Sequence, residues 1–240
     1  MSSTIKVNNI QNLAGDDSGI DLSTNDQIIL KTANTTAITV DSSQNVALAG
    51  NQTIAGTLGV TGNITGGGMD LLYSVTSSSS VSQHDISSTY INSTYDNYYL
   101  VGYAEGDADT RYLQGRVFVG GTVQTGSIYG SSVSAIDTAD DHDNNHGGVY
   151  LFTAQSVEQG GDDGEGCSFS IVFQNANNTQ APFACHGFGT YHNNSGNHNS
   201  SVFSGALLPA NRANVVNGLR LKMHTGNITY AKFKLYGLRD

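Results

Sequence analysis

The sequence predicts an all-β chain: a trimeric, glycine-punctuated β shaft followed by a jelly-roll-like antiparallel β-sandwich. Three observations favour this class. Short segments of alternating apolar and polar residues recur along the chain, helical periodicity never extends beyond about two turns, and all 8 Phe and all 12 Tyr lie after residue 68. Because aromatic side chains supply much of a packed core, we expect the aromatic part of the chain to fold as the compact domain.

The segment without aromatic residues, 1–68, is predicted to form a β-rich shaft. Between residues 45 and 68 four consecutive six-residue blocks end in glycine: NVALAG, NQTIAG, TLGVTG and NITGGG. Their apolar residues fall at the second and fourth places, which is a period-2 strand pattern, and glycine can turn at positive φ. Such a strand and bend buries its apolar face against a neighbouring coil or an identical chain. Two further strands are expected at 26–30 and 37–40.

Residues 69–240 are predicted to form the β-sandwich head. The candidate strands are 98–103, 111–119, 148–154, 167–173, 183–188, 219–223 and 230–236. In the clearest of them Cys167, Phe169, Ile171 and Phe173 share one face. Several strands separated by loops, without helices between them, are typical of an antiparallel sandwich.

The last two candidate strands, 219–223 and 230–236, are predicted to pair as a hairpin with one apolar face and one basic face. The basic face would carry Arg220, Lys222, Lys232 and Lys234. Like charges side by side on a sheet repel one another. We therefore expect compensation by acidic loops such as 137–143 or 158–165, or by an anionic ligand; a solvated or interfacial face is the alternative.

Composition excludes several classes of partner. The net charge of −10 disfavours nucleic acid and anionic membranes. No apolar run is long enough to span a bilayer, and residues 1–15 lack the apolar segment of a signal peptide, so we expect no membrane insertion and no general secretory export. Two cysteines are too few for a disulfide scaffold, and Cys167 and Cys185 are predicted to be buried thiols in neighbouring strands.

Three phrases resemble the tail-fibre proteins of bacteriophages, especially phages of marine bacteria: MSSTIKVNNIQNLAG at the start, TAITVDSSQNVALAGNQTIAGTLGVTGNI in the shaft and GNITYAKFKLYGLRD at the end. Residues 85–104 are similar to the first strand pair of the β-sandwich in such fibres. The resemblance implies a homotrimer, assembled in the host cytoplasm. Its N-terminal segment would attach to other tail proteins of the virion, and its head would bind a surface glycan or outer-membrane receptor. A head decoration or a collar fibre without a receptor role is the alternative.

The stretch around residues 186–199 is predicted to be an exposed loop that contacts a partner. Amide and aromatic side chains of this kind can bind sugar through hydrogen bonds and ring faces. The receptor-binding candidates are Tyr191, His192, Asn193, Asn194, His198 and Asn199. His186, His192 and His198 recur every six residues, and in a trimer three copies of one of them would meet on the axis; that is the alternative role for this stretch.

The densest group of oxygen and imidazole donors gives the metal candidates Asp141, His142, Asp143 and His146. Calcium would favour the carboxylates, whereas zinc or iron would favour the histidines; a polar loop tip is the alternative. No cofactor and no catalytic residue is predicted, because no nucleophile elbow, zinc-protease motif or phosphate loop is present. A polysaccharide depolymerase using Asp162, Asp163 and Glu165 is the enzymatic alternative.

Overall fold

The computed structural model describes residues 9–11, 19–21, 28–32, 35–40, 45–48, 68–136, 142–154, 160, 164–193 and 195–239. Across these residues the chain is an all-β protein in which every strand pair is antiparallel, and the only helical element is a 3-10 turn at Pro209–Asn211. None of the described residues belongs to a helix long and apolar enough to cross a membrane. The chain divides into two units, Met1–Val60 and Thr61–Asp240.

The first unit contains a five-stranded meander in which each strand pairs with the next along the chain. Its strands are β1 (Asn9–Gln11), β2 (Gly19–Asp21), β3 (Ile28–Thr32), β4 (Thr35–Val40) and β5 (Val46–Leu48). The strands expected at 26–30 and 37–40 correspond to β3 and β4, and β5 lies inside the first glycine-ended block. Of the other three blocks, only Gly68 lies within the described residues.

The second unit is a β-sandwich. Its strands are β6 (Met69–Ser77), β7 (His84–Ile86), β8 (Asn97–Gly106), β9 (Leu113–Val119), β10 (Thr122–Val123), β11 (Tyr129–Ile136), β12 (His142–Gly148), β13 (Phe152–Thr153), β14 (Cys167–Gln174), β15 (Ala184–His192), β16 (His198–Leu207), β17 (Val216–Met223) and β18 (Ile228–Leu238). One sheet has eight strands in the order β12-β11-β16-β15-β14-β8-β18-β6. The other has the order β10-β9-β17-β7, with β13 also paired to β9.

A single aromatic core fills the space between the two sheets. Phe152 from the smaller sheet stacks on Phe203 from the larger one with ring centroids 5.4 Å apart, and it lies 6.3 Å from Phe173. Inward-facing glycines also let neighbouring strands pack closely. A Cβ on Gly102 would collide with Phe233 and with the carbonyl oxygen of Lys232, because β8 and β18 pair at that position. Side chains larger than hydrogen are thus excluded there by the packing.

The cysteine prediction is confirmed. Cys167 in β14 and Cys185 in β15 are free thiols, both buried, in strands that pair directly. Burial raises the pKa of the Cys167 thiol to about 12 and raises that of Cys185 as well. Both side chains act as small apolar core residues and stay protonated at neutral pH.

The predicted terminal hairpin is wrong, because β17 and β18 belong to different sheets. β17 pairs with β9 and β7, whereas β18 pairs with β8 and β6. The turn between them contains Gly226 at φ +73° and carries the chain from one sheet to the other. Alternating apolar residues show which face of a strand is buried, but not which strand it pairs with. The same alternation occurs in two strands that face one core from opposite sheets and in two strands of one hairpin.

Four strands of the larger sheet lie where no strand was expected: β6, β11, β12 and β16. The predicted loop covers only the first residues of β16. The loop-tip alternative for the donor-rich segment is also wrong in part, because His142–Gly148 pairs with β11 as a strand. In β16 the inward positions include Asn199, Ser201 and Gly205. Because these residues are not apolar, the strand lacks the alternation of apolar and polar residues that would predict it.

Candidate ligand-binding face

The four residues of the predicted basic face are divided between the two outer surfaces of the sandwich. Arg220 and Lys222 lie on the outer face of the five-stranded sheet, whereas Lys232 and Lys234 lie on the outer face of the eight-stranded sheet. The prediction that all four share one surface is therefore wrong. The two pairs also have different surroundings, which decides what each can bind.

The cations of the five-stranded sheet are held by partners within the protein. Arg220 donates two hydrogen bonds of 2.7 Å to the two carboxylate oxygens of Asp85 on the neighbouring strand. Its guanidinium also lies 5.3 Å from the ring centroid of Phe118. Hydrogen bonding to Asp85 raises the pKa of Arg220. A bidentate pair of this geometry fixes the side chain and leaves few donors for a ligand.

Two more cations accompany Arg220 on this face. Arg116 is its cross-strand neighbour, donates to the carbonyl oxygen of Val149 at 3.0 Å and lies over the ring of Tyr150. Lys222 donates to the carbonyl oxygen of His224 at 3.1 Å. Burial, and then the charges of Arg116 and Arg220, lower the pKa of Lys222. This surface is a closed cluster of three cations compensated by one carboxylate, two ring faces and two carbonyl oxygens.

The eight-stranded sheet presents a different surface, here called the tyrosine–lysine face. It is formed by the outward side chains of β8 and β18, which alternate with buried ones on both strands. Its members are Tyr99, Val101, Tyr103, Tyr230, Lys232, Lys234 and Tyr236. Lys232 pairs in register with Tyr103, and Lys234 pairs with Val101. Both lysines are exposed, and within the described residues neither ammonium group forms an ion pair or hydrogen bond.

Two tyrosine pairs stand at the ends of this face. The rings of Tyr99 and Tyr236 lie 6.3 Å apart at an interplanar angle of 31°, and those of Tyr103 and Tyr230 lie 6.0 Å apart at 58°. Between the pairs an open depression of about 270 Å³ is lined by Val101, Gly102, Tyr103, Lys232, Phe233 and Lys234. The Tyr103 ring and the two lysines therefore border an open, largely apolar depression.

Tyr103 is the most firmly held member of the face. Its hydroxyl accepts a hydrogen bond of 2.9 Å from the backbone N–H of Gly166 and donates one of 3.3 Å to Glu105. Burial raises its pKa. Glu105 is opposite Tyr230 in register, so a carboxylate borders the face at the Tyr230 end and makes the Lys234 end the more favourable one for an anion.

A second part of the same sheet surface has apolar side chains and no charge. Phe188 on β15 and Val202 on β16 are cross-strand neighbours, 43% and 51% exposed. Ser170 and Ser134 flank them in the same cross-strand row. These four residues are here called the Phe188 patch. An apolar pair with small neighbours and without charge is typical of the centre of a protein–protein contact.

The predicted receptor-binding loop is a β-hairpin, and two of its candidates are buried. Tyr191 and Asn199 pair in register and are 1% and 5% exposed, so the expectation that they are presented on an exposed loop is wrong. Both belong to the inward positions of their strands, which the polar residues nearby obscured. Neither can contact a receptor without unfolding of the hairpin.

The other candidates lie at the tip of this hairpin. His192 and His198 pair in register with ring centroids 5.4 Å apart. The side-chain oxygen of Asn193 accepts hydrogen bonds from the backbone N–H groups of Ser195 and Asn197, which closes the turn. Asn194 lies outside the described residues. Asn193 thus has a local structural role, and a receptor contact at this tip stays a prediction.

The metal and catalytic candidates fall largely outside what the structure describes. Asp141, Asp162 and Asp163 are outside the described residues, whereas the backbones of His142, Asp143 and His146 belong to β12. Glu165 is described and half-buried. Among the described residues no group of three or more His, Cys, Asp or Glu side chains is placed to hold a metal ion.

The fold defines the chain as an all-β protein with an antiparallel β-sandwich, and the tyrosine–lysine face is its candidate ligand site. Comparisons with protein-family models, with curated proteins and with solved structures found no match to this chain.

Proposed function

We propose that the chain is a tail-fibre structural protein of a bacteriophage virion that mediates recognition of the host-cell surface and adsorption as a homotrimer. Residues 1–68 attach to other tail proteins and form the shaft, and residues 69–240 form a jelly-roll-like head that meets a surface glycan or outer-membrane receptor. The observation that carries the proposal is the tyrosine–lysine face, in which two exposed lysines without a partner among the described residues lie beside partly exposed tyrosine rings. Exposed aromatic and charged residues of this kind are typical of binding surfaces.

The first unit supports association of its strands with other chains. Ile28, Val46 and Leu48 in its meander are 48%, 59% and 47% exposed. A meander of short strands with apolar side chains at the surface is poorly stabilised by itself. In a homotrimer the same side chains would be buried against identical chains, so β5 of the first glycine-ended block would act between chains.

The Phe188 patch supports association of the heads. The chain carries a net charge of −10, so two copies repel one another on average, and an uncharged contact surface adds no repulsion of its own. Phe188 and Val202 provide the apolar centre of such a contact. A symmetric homo-oligomer repeats this contact around its axis.

Native mass tests the oligomeric state. Light scattering after size exclusion should give the full chain a mass near three times 25.2 kDa. Replacing Phe188→Ser together with Val202→Thr should shift the mass toward the monomer as the concentration falls. Val215→Thr removes a valine of similar exposure outside the patch, 41% exposed, and should leave the mass unchanged. A well-folded monomeric wild-type chain would refute the homotrimer.

Competition for adsorption tests the function. The purified full chain, added to host cells before the phage, should reduce the fraction of phage adsorbed, because it occupies the same surface receptor. Bovine serum albumin at equal mass is the control for nonspecific coating. Antibody labelling of the virion should place the protein at the tail. A label on the capsid or neck, with unchanged adsorption, would instead identify a head decoration or collar fibre.

A further inference from the structure

We propose that the tyrosine–lysine face binds a linear acidic polysaccharide, with Lys232 and Lys234 pairing with its carboxylate or sulfate groups and the tyrosine rings packing on its sugar rings. The inference rests on the proposed function, since it names the ligand class through which the head would adsorb. The face lies on the outer side of β8 and β18. It shares no residue with the Phe188 patch, which adjoins it where Ser170 pairs with Val101.

The cations on the two outer faces of the sandwich differ in how they are compensated. Arg220, Arg116 and Lys222 each have a hydrogen-bond acceptor within the protein. Lys232 and Lys234 have none among the described residues, although the chain contains twice as many acidic residues as basic ones, 20 against 10. The Cα atoms of two lysines at alternate positions of one strand are about 7 Å apart, so their like charges repel each other. A ligand with negative groups along its length removes that repulsion.

The aromatic rings distinguish a sugar from a simple polyanion. Tyr99 and Tyr236 form the ring pair beside Lys234, and Tyr103 and Tyr230 form the pair beside Lys232. Ring faces pack on the apolar C–H surface of sugars, while the phenol groups reach sugar hydroxyls. Within the described residues no protein hydrogen bond reaches the hydroxyl groups of Tyr99, Tyr230 or Tyr236, so those groups can serve a ligand.

The geometry favours an extended ligand. Tyr230 and Tyr236 lie six residues apart on one strand, which places them about 20 Å from each other. The depression between the tyrosine pairs is shallow and open, about 270 Å³, too small to enclose an oligosaccharide. An extended chain lying along β18 contacts both tyrosine pairs and both lysines, whereas a compact anion such as phosphate reaches only one end of the face.

Lysine also sets the expected strength of binding. Its ammonium group is strongly hydrated and pairs with anions as a point charge, without the two-pronged geometry of arginine. A single face therefore binds weakly and in a salt-dependent manner. Three faces in a homotrimer raise the effective concentration and convert weak contacts into firm attachment.

Binding of the full chain to immobilised polysaccharides tests the inference. The probes are alginate, a polyuronate, and chondroitin sulfate, with dextran as the neutral probe and inorganic polyphosphate as the anion without sugar. We expect binding to at least one acidic polysaccharide that weakens as NaCl rises from 20 to 300 mM, and no binding to dextran. Absence of binding to both acidic polysaccharides would overturn the inference.

Single variants locate the site. Lys232→Gln and Lys234→Gln should each lower affinity about fivefold, an effect of one surface charge on a polyanion contact. The charge-matched control is Arg212→Gln, an exposed cation outside the face, which should change affinity less than twofold. Equal losses in all three variants would mean that only net charge matters, which contradicts a site.

The rings are tested at Tyr236. Tyr236→Thr keeps a strand-favouring residue but removes the ring, and it should lower polysaccharide affinity about tenfold while leaving polyphosphate binding unchanged. Tyr236→Phe keeps the ring and should lose less than threefold. If Tyr236→Thr binds the acidic polysaccharide as the wild type does, the sugar-ring contact is refuted.

The adsorption assay separates this inference from the proposed function. If the wild-type chain blocks adsorption and the Lys232→Gln, Lys234→Gln double variant blocks it equally well, the fibre role stands and the acidic-glycan site is wrong. If the chain binds the polysaccharide through this face but never affects adsorption, the ligand assignment stands and the receptor role fails. Native mass should be the same for every variant, since none of the substituted residues belongs to the Phe188 patch.

Discussion

The two outer faces of the sandwich carry similar numbers of cations but use them differently. On the five-stranded sheet Arg116, Arg220 and Lys222 bind a carboxylate, carbonyl oxygens and ring faces of the same chain. On the eight-stranded sheet Lys232 and Lys234 are exposed and unpaired among the described residues. A cation that pairs with groups of the same chain contributes to the stability of the fold. A cation that is exposed to solvent without such a partner is available to bind another molecule.

The eight-stranded sheet also has ion pairs, and these lie near the ends of its strands. Asp70 on the edge strand β6 forms an ion pair of 2.7 Å with Arg239 and also accepts a hydrogen bond from the Tyr95 hydroxyl. Arg111 pairs with Asp107 beyond the end of β8. Between these pairs lies the tyrosine–lysine face. The structural ion pairs therefore lie at the strand ends, whereas the lysines without a partner among the described residues lie midway along β18.

Both faces depend on one core, and the largest effect should come from disturbing it. Gly102→Ala places a methyl group against Phe233 and the carbonyl oxygen of Lys232. We expect a loss of at least about 2 kcal/mol in the free energy of unfolding, because backbone on the neighbouring strand must move. Chemical denaturation measures it. Gly68→Ala, where an added Cβ meets nothing within 4 Å, should stay within about 0.5 kcal/mol of the wild type; equal effects would mean that the strand spacing is not limiting.

The next largest change in stability is expected from a substitution on the five-stranded sheet. Asp85→Asn removes the carboxylate that pairs with Arg220 and leaves three cations on one face. We expect a loss of about 1 kcal/mol, no more, since both side chains are partly exposed and solvent screens the pair. In a double-mutant cycle Lys222→Gln should cost less in the Asp85→Asn background than in the wild type, because it then relieves repulsion. If the changes in the free energy of unfolding caused by the two substitutions are additive, Lys222 does not interact electrostatically with the other charges of this cluster.

The ion pair at the margin should appear as a pH dependence. The hydrogen bond from Tyr95, then that from Arg239, lower the pKa of Asp70 below its usual 3.8. A carboxyl group with a lowered pKa in the folded state contributes stability above about pH 4, and this is lost as pH falls through the folded-state pKa. The difference in Tm between the wild type and Asp70→Asn should therefore shrink as pH falls from 6 to 2.5. A constant difference would assign the effect to packing alone.

Alternation let the sequence predict faces, but it could not predict strand partners. The strands at 167–173 and 219–223 were found because their inward residues are apolar without exception. β16 was missed because Asn199, Ser201 and Gly205 occupy inward positions. Ser201 is satisfied by donating a hydrogen bond to the carbonyl oxygen of Ala154, a contact between residues far apart in sequence, and no local pattern reveals it.

The candidate site was predicted only in part for the same reason. Lys232 and Lys234 were recognised as outward residues of a strand, yet their neighbours were misassigned to β17. Their actual neighbours, Val101 and Tyr103, lie on β8, more than a hundred residues earlier in the chain. Tyr99 and Tyr103 alternate with buried Tyr98 and Leu100, so the sequence held the signal for an outward aromatic row. The pairing of that row with the lysines depends on sheet order, which only the folded structure supplies.

The smallest effect should be the most informative about the two faces. Lys232→Gln and Lys234→Gln should each change the free energy of unfolding by less than about 0.5 kcal/mol, and either could raise it, since one of two repelling ammonium groups is removed. Asp85→Asn, measured alongside, gives the larger loss expected where the fold uses its charge. If the lysine variants lose as much as Asp85→Asn, the lysines have a structural partner and the contrast between the faces disappears. If the lysine variants keep the free energy of unfolding of the wild type, Lys232 and Lys234 do not stabilise the sandwich. They then lie exposed beside aromatic rings and are available for a contact with another molecule.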